Sequence, residues 1–256
     1  MIAAPADTLS LAVCGPEAGA LAGLGDDNLV LRAARDLAAH HRIVPFAALT
    51  LDKQLPVASG IGGGSSDAAA ALRALAALWR RPLGDVAPLA VALGADVPAC
   101  LSGRPAWVGG VGEKLDPVPA LPPFGIVLAN PRRELPTAAV FRARDGEFSP
   151  PARRAWDIFD PEMLLAMLAQ ARNDLTAAAL SLVPEIAAVL DRLALLPGAR
   201  LARMSGSGAT CFALFADRAA ADRGAAVLAR TEPQWWVRAG SLLSGPLPVR
   251  PVVGRR

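Results

Sequence analysis

The sequence predicts a fold that mixes α-helices with β-strands, arranged as one large or two smaller domains. Of its 256 residues, 53% are hydrophobic and 19% are charged, so the chain can bury a substantial core and is too apolar to be disordered. Apolar residues recur with helical spacing in some segments and alternate as in strands in others. Residues 131–155 are rich in proline, arginine and acidic side chains, which predicts a linker or domain boundary there.

The first half of the chain contains both kinds of pattern. Strands are predicted over residues 9–13, where apolar residues alternate weakly, and over residues 51–57 and 104–108. Helical spacing predicts helices over residues 28–40, 65–79 and 86–93. Asp26 or Asp27 is the predicted N-cap of the first helix, and Gly94 is predicted to end the third.

The second half is predicted to continue with a strand over residues 125–128 and helices over 161–170 and 184–195. A second glycine segment, Ser205, Gly206, Ser207 and Gly208, then leads directly into an apolar run at 211–215 that is typical of a buried strand. A tight turn entering a strand explains this segment without a ligand. Two interpretations therefore stay open, direct contact with a ligand and support of the other glycine loop.

The strongest functional motif is that other loop, PVASGIGGGSSDAAAA at residues 56–71. Glycine backbone can approach an anion closely, because it has no Cβ and accepts positive φ. Ser and Asp follow the glycines, where helix N-caps are favoured, ahead of a run of alanines that forms helix readily. The amides of such a loop converge on a helix N-terminus, which favours negative charge. We predict a phosphate-binding loop; the alternative is a flexible turn.

Two better-known phosphate loops do not fit these residues. A Walker A loop requires Lys and then Ser or Thr after its last glycine, whereas Gly64 is followed by Ser65 and Ser66. A dinucleotide-binding fingerprint requires a third glycine where this chain has Ser65, and a strand where Pro56 interrupts the segment.

Composition and charge indicate which classes of molecule the protein binds. The net charge of +3 suits an anionic small-molecule substrate. The sequence has no dense basic stripe interleaved with aromatic residues, so we do not predict nucleic-acid binding.

Cys14, Cys100 and Cys211 form no CxxC pair, which predicts buried free thiols in a reducing compartment. His40 and His41 end a helical segment, so a surface pair is a better interpretation than a metal site.

The N-terminal segment MIAAPADTLS does not have the basic and apolar regions of a signal peptide. Arg73, Arg80 and Arg81 interrupt the Ala/Leu-rich stretches before they reach membrane-spanning length. We therefore expect a cytoplasmic protein that does not insert into a membrane. Its oligomeric state is not predicted.

Further motifs complete a pattern typical of a known family. They are DNLVLRAA at 27–34, LGADVPACLSGRPAWVGGVGEKLDPV at 93–118, NDL at 173–175 followed by Pro184 and Glu185, and MSGSGATCFALF at 204–215. With the glycine loop, they resemble the GHMP kinases over about residues 7–216. GADVP, VGEKL and NDL resemble the branch that phosphorylates 4-diphosphocytidyl-2-C-methyl-D-erythritol.

The resemblance implies phosphoryl transfer from ATP, with Mg²⁺, to the 2-hydroxyl of that small-molecule substrate. It also implies a two-lobed α+β fold. A ribosomal-S5-like N-terminal lobe would cover residues 1–121 and a ferredoxin-like C-terminal lobe residues 122–256. Asp96 matches the family's catalytic aspartate, whose carboxylate accepts the proton of the attacking hydroxyl. From its position alone it would be interpreted as a helix-capping or turn aspartate. Ser66 is the candidate magnesium ligand.

The implied nucleotide site comprises the glycine loop and two further residues. Its members are Pro56, Val57, Ala58, Ser59, Gly60, Ile61, Gly62, Gly63, Gly64, Ser65, Ser66, Lys53 and Asn28. For Lys53 an exposed lysine, and for Asn28 a capping asparagine, are the alternatives from the residues themselves. Arg104, Glu113 and Lys114 are interpreted as residues of the fold.

In one respect the sequence departs from the family pattern. Members open with segments like PAKINLFL and PDGYH, which supply a lysine partner for the catalytic aspartate and contacts for cytosine. This chain has neither, and it contains no tyrosine. We therefore expect a truncated N-terminal lobe that is unstable or poorly active. The alternatives are a catalytically silent ATP-binding remnant and another small-molecule GHMP kinase.

Overall fold

A computed structural model describes residues 1–150 and 160–251 of the chain. The described residues group into two compact units. The first contains Met1–Val57, Gly62–Pro117 and the described residues from Gly245 onward, and the second contains Ala58–Ile61 and Val118–Ser244. The glycine loop thus contributes residues to both units.

The first unit combines helices with a three-stranded and a two-stranded sheet. In chain order its elements are β1 (Ile2–Ala4), β2 (Ser10–Cys14), α1 (Leu29–His40), β3 (Ala48–Asp52), α2 (Gly63–Leu78), α3 (Ala87–Leu93), α4 (Val97–Ser102), β4 (Ala106–Gly109) and β5 (Lys114–Pro117). In the larger sheet β3 lies between an antiparallel β1 and a parallel β2, and β4 pairs with β5 as an antiparallel hairpin.

The core of the first unit lies where α1 and α2 pack. Helix α2 buries Ala68, Ala71, Leu72 and Leu75 at the i, i+3, i+4, i+7 spacing of one helical face. The small alanine side chains let the backbones approach closely, and the leucines fill the space toward the strand residue Leu49. The helix that begins at the glycine loop is therefore anchored by its own apolar face.

The second unit is built on a four-stranded antiparallel sheet in the order β7-β8-β6-β9. In chain order its elements are β6 (Gly125–Asn130), α5 (Thr137–Ala143), α6 (Pro161–Gln170), α7 (Thr176–Leu182), α8 (Glu185–Ala194), β7 (Leu201–Met204), β8 (Cys211–Phe215), α9 (Arg218–Thr231) and β9 (Trp236–Ser241).

Both faces of this sheet are covered, which explains the apolar composition of its central strands. One face packs in the larger core, with Val127 of β6 and Phe215 of β8 beside Ile186 of α8. Phe124 and Leu214 lie in a smaller cluster with residues of α6. The run at Cys211–Phe215 forms a strand as predicted.

Several predicted boundaries were wrong. The strand predicted over 51–57 covers Ala48–Asp52, and the chain leaves the sheet before Pro56, which cannot donate to a strand ladder. Helix α2 begins at Gly63, two residues before the predicted start, because Gly62 adopts the left-handed conformation and serves as N-cap. The cap of α1 is Asn28, whose side chain accepts the Val30 N–H, rather than Asp26 or Asp27.

The linker predicted at 131–155 was also wrong in the part that the structure describes, since residues 151–155 lie outside it. Residues 131–150 belong to the second unit. They include α5, whose Val140 is fully buried. Pro136, Pro150 and most of the charged side chains of this stretch are exposed, whereas Pro131, Leu135 and Val140 are buried, so composition alone was misleading.

The cysteines and histidines follow their predictions in part. All three cysteines are free, but Cys14 is exposed at the end of β2 rather than buried, and Cys100 is half-buried. His40 and His41 meet edge to face at the end of α1. Within the described ranges, no helix combines the length and apolar character needed to cross a bilayer.

Candidate active site

In the second unit, the glycine-loop segment Ala58–Ile61 lies against the second glycine segment. Gly60 has φ +70°, and a Cβ on it would collide with backbone atoms of Gly208 and Ser205. Gly206 is also close, since its own Cβ would lie 2.9 Å from the Gly60 carbonyl oxygen. Glycine is therefore required at Gly60 for both its conformation and its close approach.

Hydrogen bonds join the same two segments. The Ser205 hydroxyl donates to the Gly60 carbonyl over 3.0 Å, and the Thr210 N–H donates to the Ser59 carbonyl over 3.2 Å. Ser59 is buried. These are the contacts expected of a segment that supports the glycine loop, one of the two interpretations left open above.

In the first unit, the loop runs into the N-terminus of α2. Gly62 is the N-cap, with φ 65° and no capping side chain. The first intrahelical bond runs from the Ser66 N–H to the Gly62 carbonyl over 2.8 Å. The amides of Gly63, Gly64 and Ser65 precede that bond, so they project from a 16-residue helix whose dipole favours an anion.

Asp96 lies beside this helix start. It occupies the N-cap position of α4, but its side chain makes no capping hydrogen bond. An ideal Cβ built on Gly62 would lie 3.7 Å from its Oδ2 atom, so the carboxylate faces a residue without a side chain. Asp96 thus occupies the turn and N-cap position that its structural alternative predicted, but its carboxylate is not used for capping and can serve another purpose.

Lys53 is also close to the first turn of α2. Only 3% of its side chain is exposed, and its Nζ forms an ion pair with Asp67 Oδ2 at 2.5 Å. The Nζ lies 3.5 Å from where a Cβ of Gly63 would be. The exposed-lysine alternative was thus wrong, and a buried cation lies next to the helix N-terminus.

The remaining predicted nucleotide residues differ in their surroundings. Asn28 is buried and caps α1, as its structural alternative predicted, while Pro56 is buried and Val57 exposed. Ala58 is exposed and has φ 51°. Their part in nucleotide binding stays a prediction.

Ser66, the predicted metal ligand, faces a thiol. Its Oγ lies 3.4 Å from Cys100 Sγ. Burial raises the pKa of the Cys100 thiol, the Ser66 hydrogen bond acts in the opposite direction, and the nearby carboxylates of Asp96 and Asp67 raise it further. Cys100 is therefore a protonated thiol at neutral pH and not an activated nucleophile.

The described residues contain no cluster of three or more His, Cys, Asp or Glu side chains suited to a metal ion. Magnesium in nucleotide sites is held largely by phosphate oxygens and water, with one or two protein ligands. The hydroxyl of Ser66 is an oxygen donor of the type that this ion prefers. A single protein donor fits a magnesium ion that arrives with a nucleotide, rather than a resident structural ion.

Two contributors were missed from the sequence. Gly112, in the VGEKL motif, has φ +102°, and a Cβ on it would collide with the Ala95 carbonyl, next to Asp96. Asn173 of the NDL motif donates to the Met204 and Gly206 carbonyls. Both motifs marked the family, but neither spacing nor residue type indicated these contacts across the chain.

Comparison with known proteins gives the family. The family model described as the GHMP kinases N-terminal domain matches residues 28–104, and that described as GHMP kinases C-terminal matches residues 155–234. A 4-diphosphocytidyl-2-C-methyl-D-erythritol kinase of Rhodospirillum rubrum is 51% identical over 95% of this chain and 80% of its own length. One from Hyphomonas neptunium is 49% identical over 96% of this chain and 84% of its own.

Solved structures agree. A crystal structure of 4-(cytidine 5′-diphospho)-2C-methyl-D-erythritol kinase superimposes with a TM-score of 0.75 at 36% identity, covering 95% of this chain and 85% of that one. Homoserine kinase from Cytophaga hutchinsonii gives 0.69 at 17% identity over the same shares of each chain, 95% and 85%, which supports the fold alone. The predicted α+β GHMP kinase fold with N- and C-terminal domains is confirmed. The chain belongs to the 4-diphosphocytidyl-2-C-methyl-D-erythritol kinase family of the GHMP kinases, as its motifs predicted.

Proposed function

We propose that this chain transfers the γ-phosphoryl group of ATP to the 2-hydroxyl of 4-diphosphocytidyl-2-C-methyl-D-erythritol, a step of non-mevalonate isoprenoid precursor synthesis. Relatives named for this activity are about half identical to it over nearly its whole length. The structural observation that carries the proposal is Asp96, whose carboxylate is not used as a cap and lies beside the N-terminus of α2.

The glycine loop would bind the nucleotide. Phosphoryl transfer depends on positioning and on charge stabilisation more than on covalent catalysis. Amides from Gly60 to Ser66 would hold the β- and γ-phosphates at the helix N-terminus. Lys53, buried beside the first turn and paired with Asp67, would place an ammonium group near the phosphates, and Asn28 with residues 56–59 would border the rest of the nucleotide.

Asp96 would act as the base. In the reaction, the substrate oxygen forms a bond to the γ-phosphorus, the bond to the β,γ-bridging oxygen breaks, and ADP leaves. Asp96 takes the proton that the hydroxyl gives up, which leaves a neutral carboxyl and a phosphate monoester. Magnesium, with Ser66 as its protein ligand, would neutralise charge on the phosphates when bound.

The proposal also covers the domain boundaries and the cellular compartment. Residues 1–121 would form the nucleotide-binding lobe and 122–256 the C-terminal lobe. The three free cysteines suit a reducing cytoplasm.

Two other functions remain as alternatives, a kinase for a different small alcohol and an ATP-binding protein without transfer activity. Homoserine and mevalonate kinases share the fold, but at 17% and 15% identity they do not indicate their substrates for this chain. The VGEKL and NDL motifs favour the diphosphocytidyl substrate over both.

The test is to incubate the purified chain with ATP, Mg²⁺ and the diphosphocytidyl alcohol and to follow the 2-phosphate by ³¹P NMR. We expect product with this alcohol and none with mevalonate or homoserine. Asp96→Asn, which keeps the size of the side chain, should reduce turnover by at least about 100-fold while ATP still binds. ATP binding without transfer in the wild type would favour the silent remnant, and transfer to homoserine or mevalonate instead would contradict the assigned substrate.

A further inference from the structure

Asn173 lies beside the second glycine segment with all three of its amide bonding groups engaged. Its Nδ2 donates to the Gly206 carbonyl over 2.8 Å and to the Met204 carbonyl over 3.2 Å. Its Oδ1 accepts the Leu175 N–H over 3.0 Å. Both donor hydrogens of the amide and its carbonyl oxygen thus bond within the protein, and one lone pair of the oxygen is left over.

The two carbonyls that Asn173 binds belong to the residues on either side of Ser205. Holding both of them restrains the peptide that precedes Ser205 and the peptide that joins Gly206 to Ser207. The turn is closed by further backbone bonds, from the Ser205 N–H to the Thr210 carbonyl and from the Gly208 N–H to the Ser205 carbonyl, each of 2.9 Å. Asn173 and the turn together therefore fix the backbone that carries the Ser205 side chain.

That hydroxyl donates to the Gly60 carbonyl over 3.0 Å. Gly60 also packs directly on the backbone of Ser205 and Gly208. Every step of this connection, from Asn173 through Ser205 to Gly60, lies within the second unit. A displacement of the second glycine segment would move the Gly60 peptide with it.

We propose that Asn173 is a positioning residue for phosphate binding, acting on the glycine loop through Ser205 without touching the nucleotide. The proposal rests on the function proposed above, because it assumes that the loop binds ATP. Asn173→Ala removes all three bonds, and Asn173→Asp keeps the shape but places an acceptor against two carbonyls. Each variant should weaken ATP binding about ten-fold or more, with Asp giving the larger loss.

A matched control separates positioning from general stability. Asp217 caps α9 in the same unit by accepting the Ala220 N–H over 2.7 Å. Asp217→Ala also removes a side-chain to backbone bond, and it should lower thermal stability while leaving ATP affinity unchanged.

The experiment measures the dissociation constant of a fluorescent ATP analogue for the wild type, Asn173→Ala, Ser205→Ala and the double variant. If Asn173 acts through Ser205, the double variant binds the ATP analogue with about the same affinity as the single variant of lower affinity. The reason is that both changes interrupt one connection. Losses that multiply, or an unchanged affinity in Asn173→Ala, would overturn the proposal.

Hydrogen exchange of peptides spanning residues 56–66, measured without nucleotide, keeps the two proposals distinguishable. Faster exchange in Asn173→Ala and not in Asp217→Ala supports the positioning role, even if the wild type then binds no ATP and the proposed function fails. Unchanged exchange with normal ATP binding leaves the function intact and removes Asn173 from it.

Discussion

The part of the glycine loop that lies in the second unit is held mainly by backbone, whereas the start of α2 in the first unit is surrounded by charged side chains. Gly60 packs on the backbone of Ser205 and Gly208 with no room for a Cβ. By contrast, α2 begins beside the Lys53–Asp67 ion pair and the carboxylate of Asp96. The first region should therefore be sensitive to added volume and the second to removed charge.

The largest effect is expected for Gly60→Ala. The left-handed conformation costs a residue with a Cβ about 1–2 kcal/mol, and the collision with rigid backbone adds to that, so we expect a loss of about 3 kcal/mol or more in the free energy of unfolding. Gly146→Ala is the control, because Gly146 has φ +81° and nothing within 4 Å of an added Cβ. Urea denaturation measures both, and equal losses would show that backbone packing does not hold the loop.

Next in size is the ion pair. Lys53→Met leaves Asp67 partly buried without its partner, which for buried pairs costs about 3 kcal/mol. Asp67→Asn strands the buried lysine, and the double variant should be more stable than either single one. The exposed Arg218–Asp222 pair is the comparison, with about 0.5 kcal/mol expected on its removal. Additive losses in the double-variant cycle would contradict the coupling.

Gly112→Ala tests whether the hairpin of β4 and β5 positions the segment that carries Asp96. Its added Cβ meets the Ala95 backbone, whereas the nearest atoms to that of Gly110, which has φ +67°, belong to the Glu113 side chain. That side chain can move away if it gives up its bond to the Val111 N–H. We expect turnover to fall about ten-fold or more in Gly112→Ala, because small displacements of catalytic groups are costly. Gly110→Ala should retain most of its turnover, and similar losses in both would assign the effect to backbone strain alone.

The smallest effect concerns acid stability in the second unit. The hydroxyl and the N–H of Ser149 both bond to Asp174 and lower the pKa of its carboxyl below the ordinary 3.8. A carboxyl whose pKa is lower in the folded protein stabilises the fold at pH values above its unfolded-state pKa. This stabilisation is lost as the pH falls through the folded-state pKa. Asp174→Asn should therefore flatten the loss of stability below about pH 4. Melting temperatures that fall below about pH 4 equally in Asp174→Asn and in the wild type would contradict this.

The sequence predicted the features that depend on local pattern. The apolar face of α2 and the buried run at Cys211–Phe215 follow from periodicity, and the glycine loop follows from its composition. Helix α9 was not predicted, although Asp217 is a typical N-cap and Ala221 and Leu228 lie on one buried face. The segment consists largely of alanine and arginine, so its apolar and polar faces differ little in the sequence.

Contacts between distant residues could not be predicted in the same way. The Lys53–Asp67 pair spans 14 positions and the Ser205–Gly60 bond spans 145, and no periodicity links such partners. The family resemblance placed Lys53 in the nucleotide site, and an exposed lysine was the alternative; its burial depends on tertiary packing, which local pattern does not reveal. The family resemblance named Asp96, but only the structure showed that its side chain does not cap α4.

The central claim is that residues 56–66 form the ATP phosphate site, and amide chemical shifts test it most directly. Titration of the ¹⁵N-labelled chain with ATP and Mg²⁺ should shift the amides of Gly60, Gly63, Gly64 and Ser65 most strongly. A parallel titration with AMP, which has neither a β- nor a γ-phosphate, should shift them much less. Equal shifts with AMP, or the largest ATP-induced shifts in a segment remote from this loop, would contradict the account.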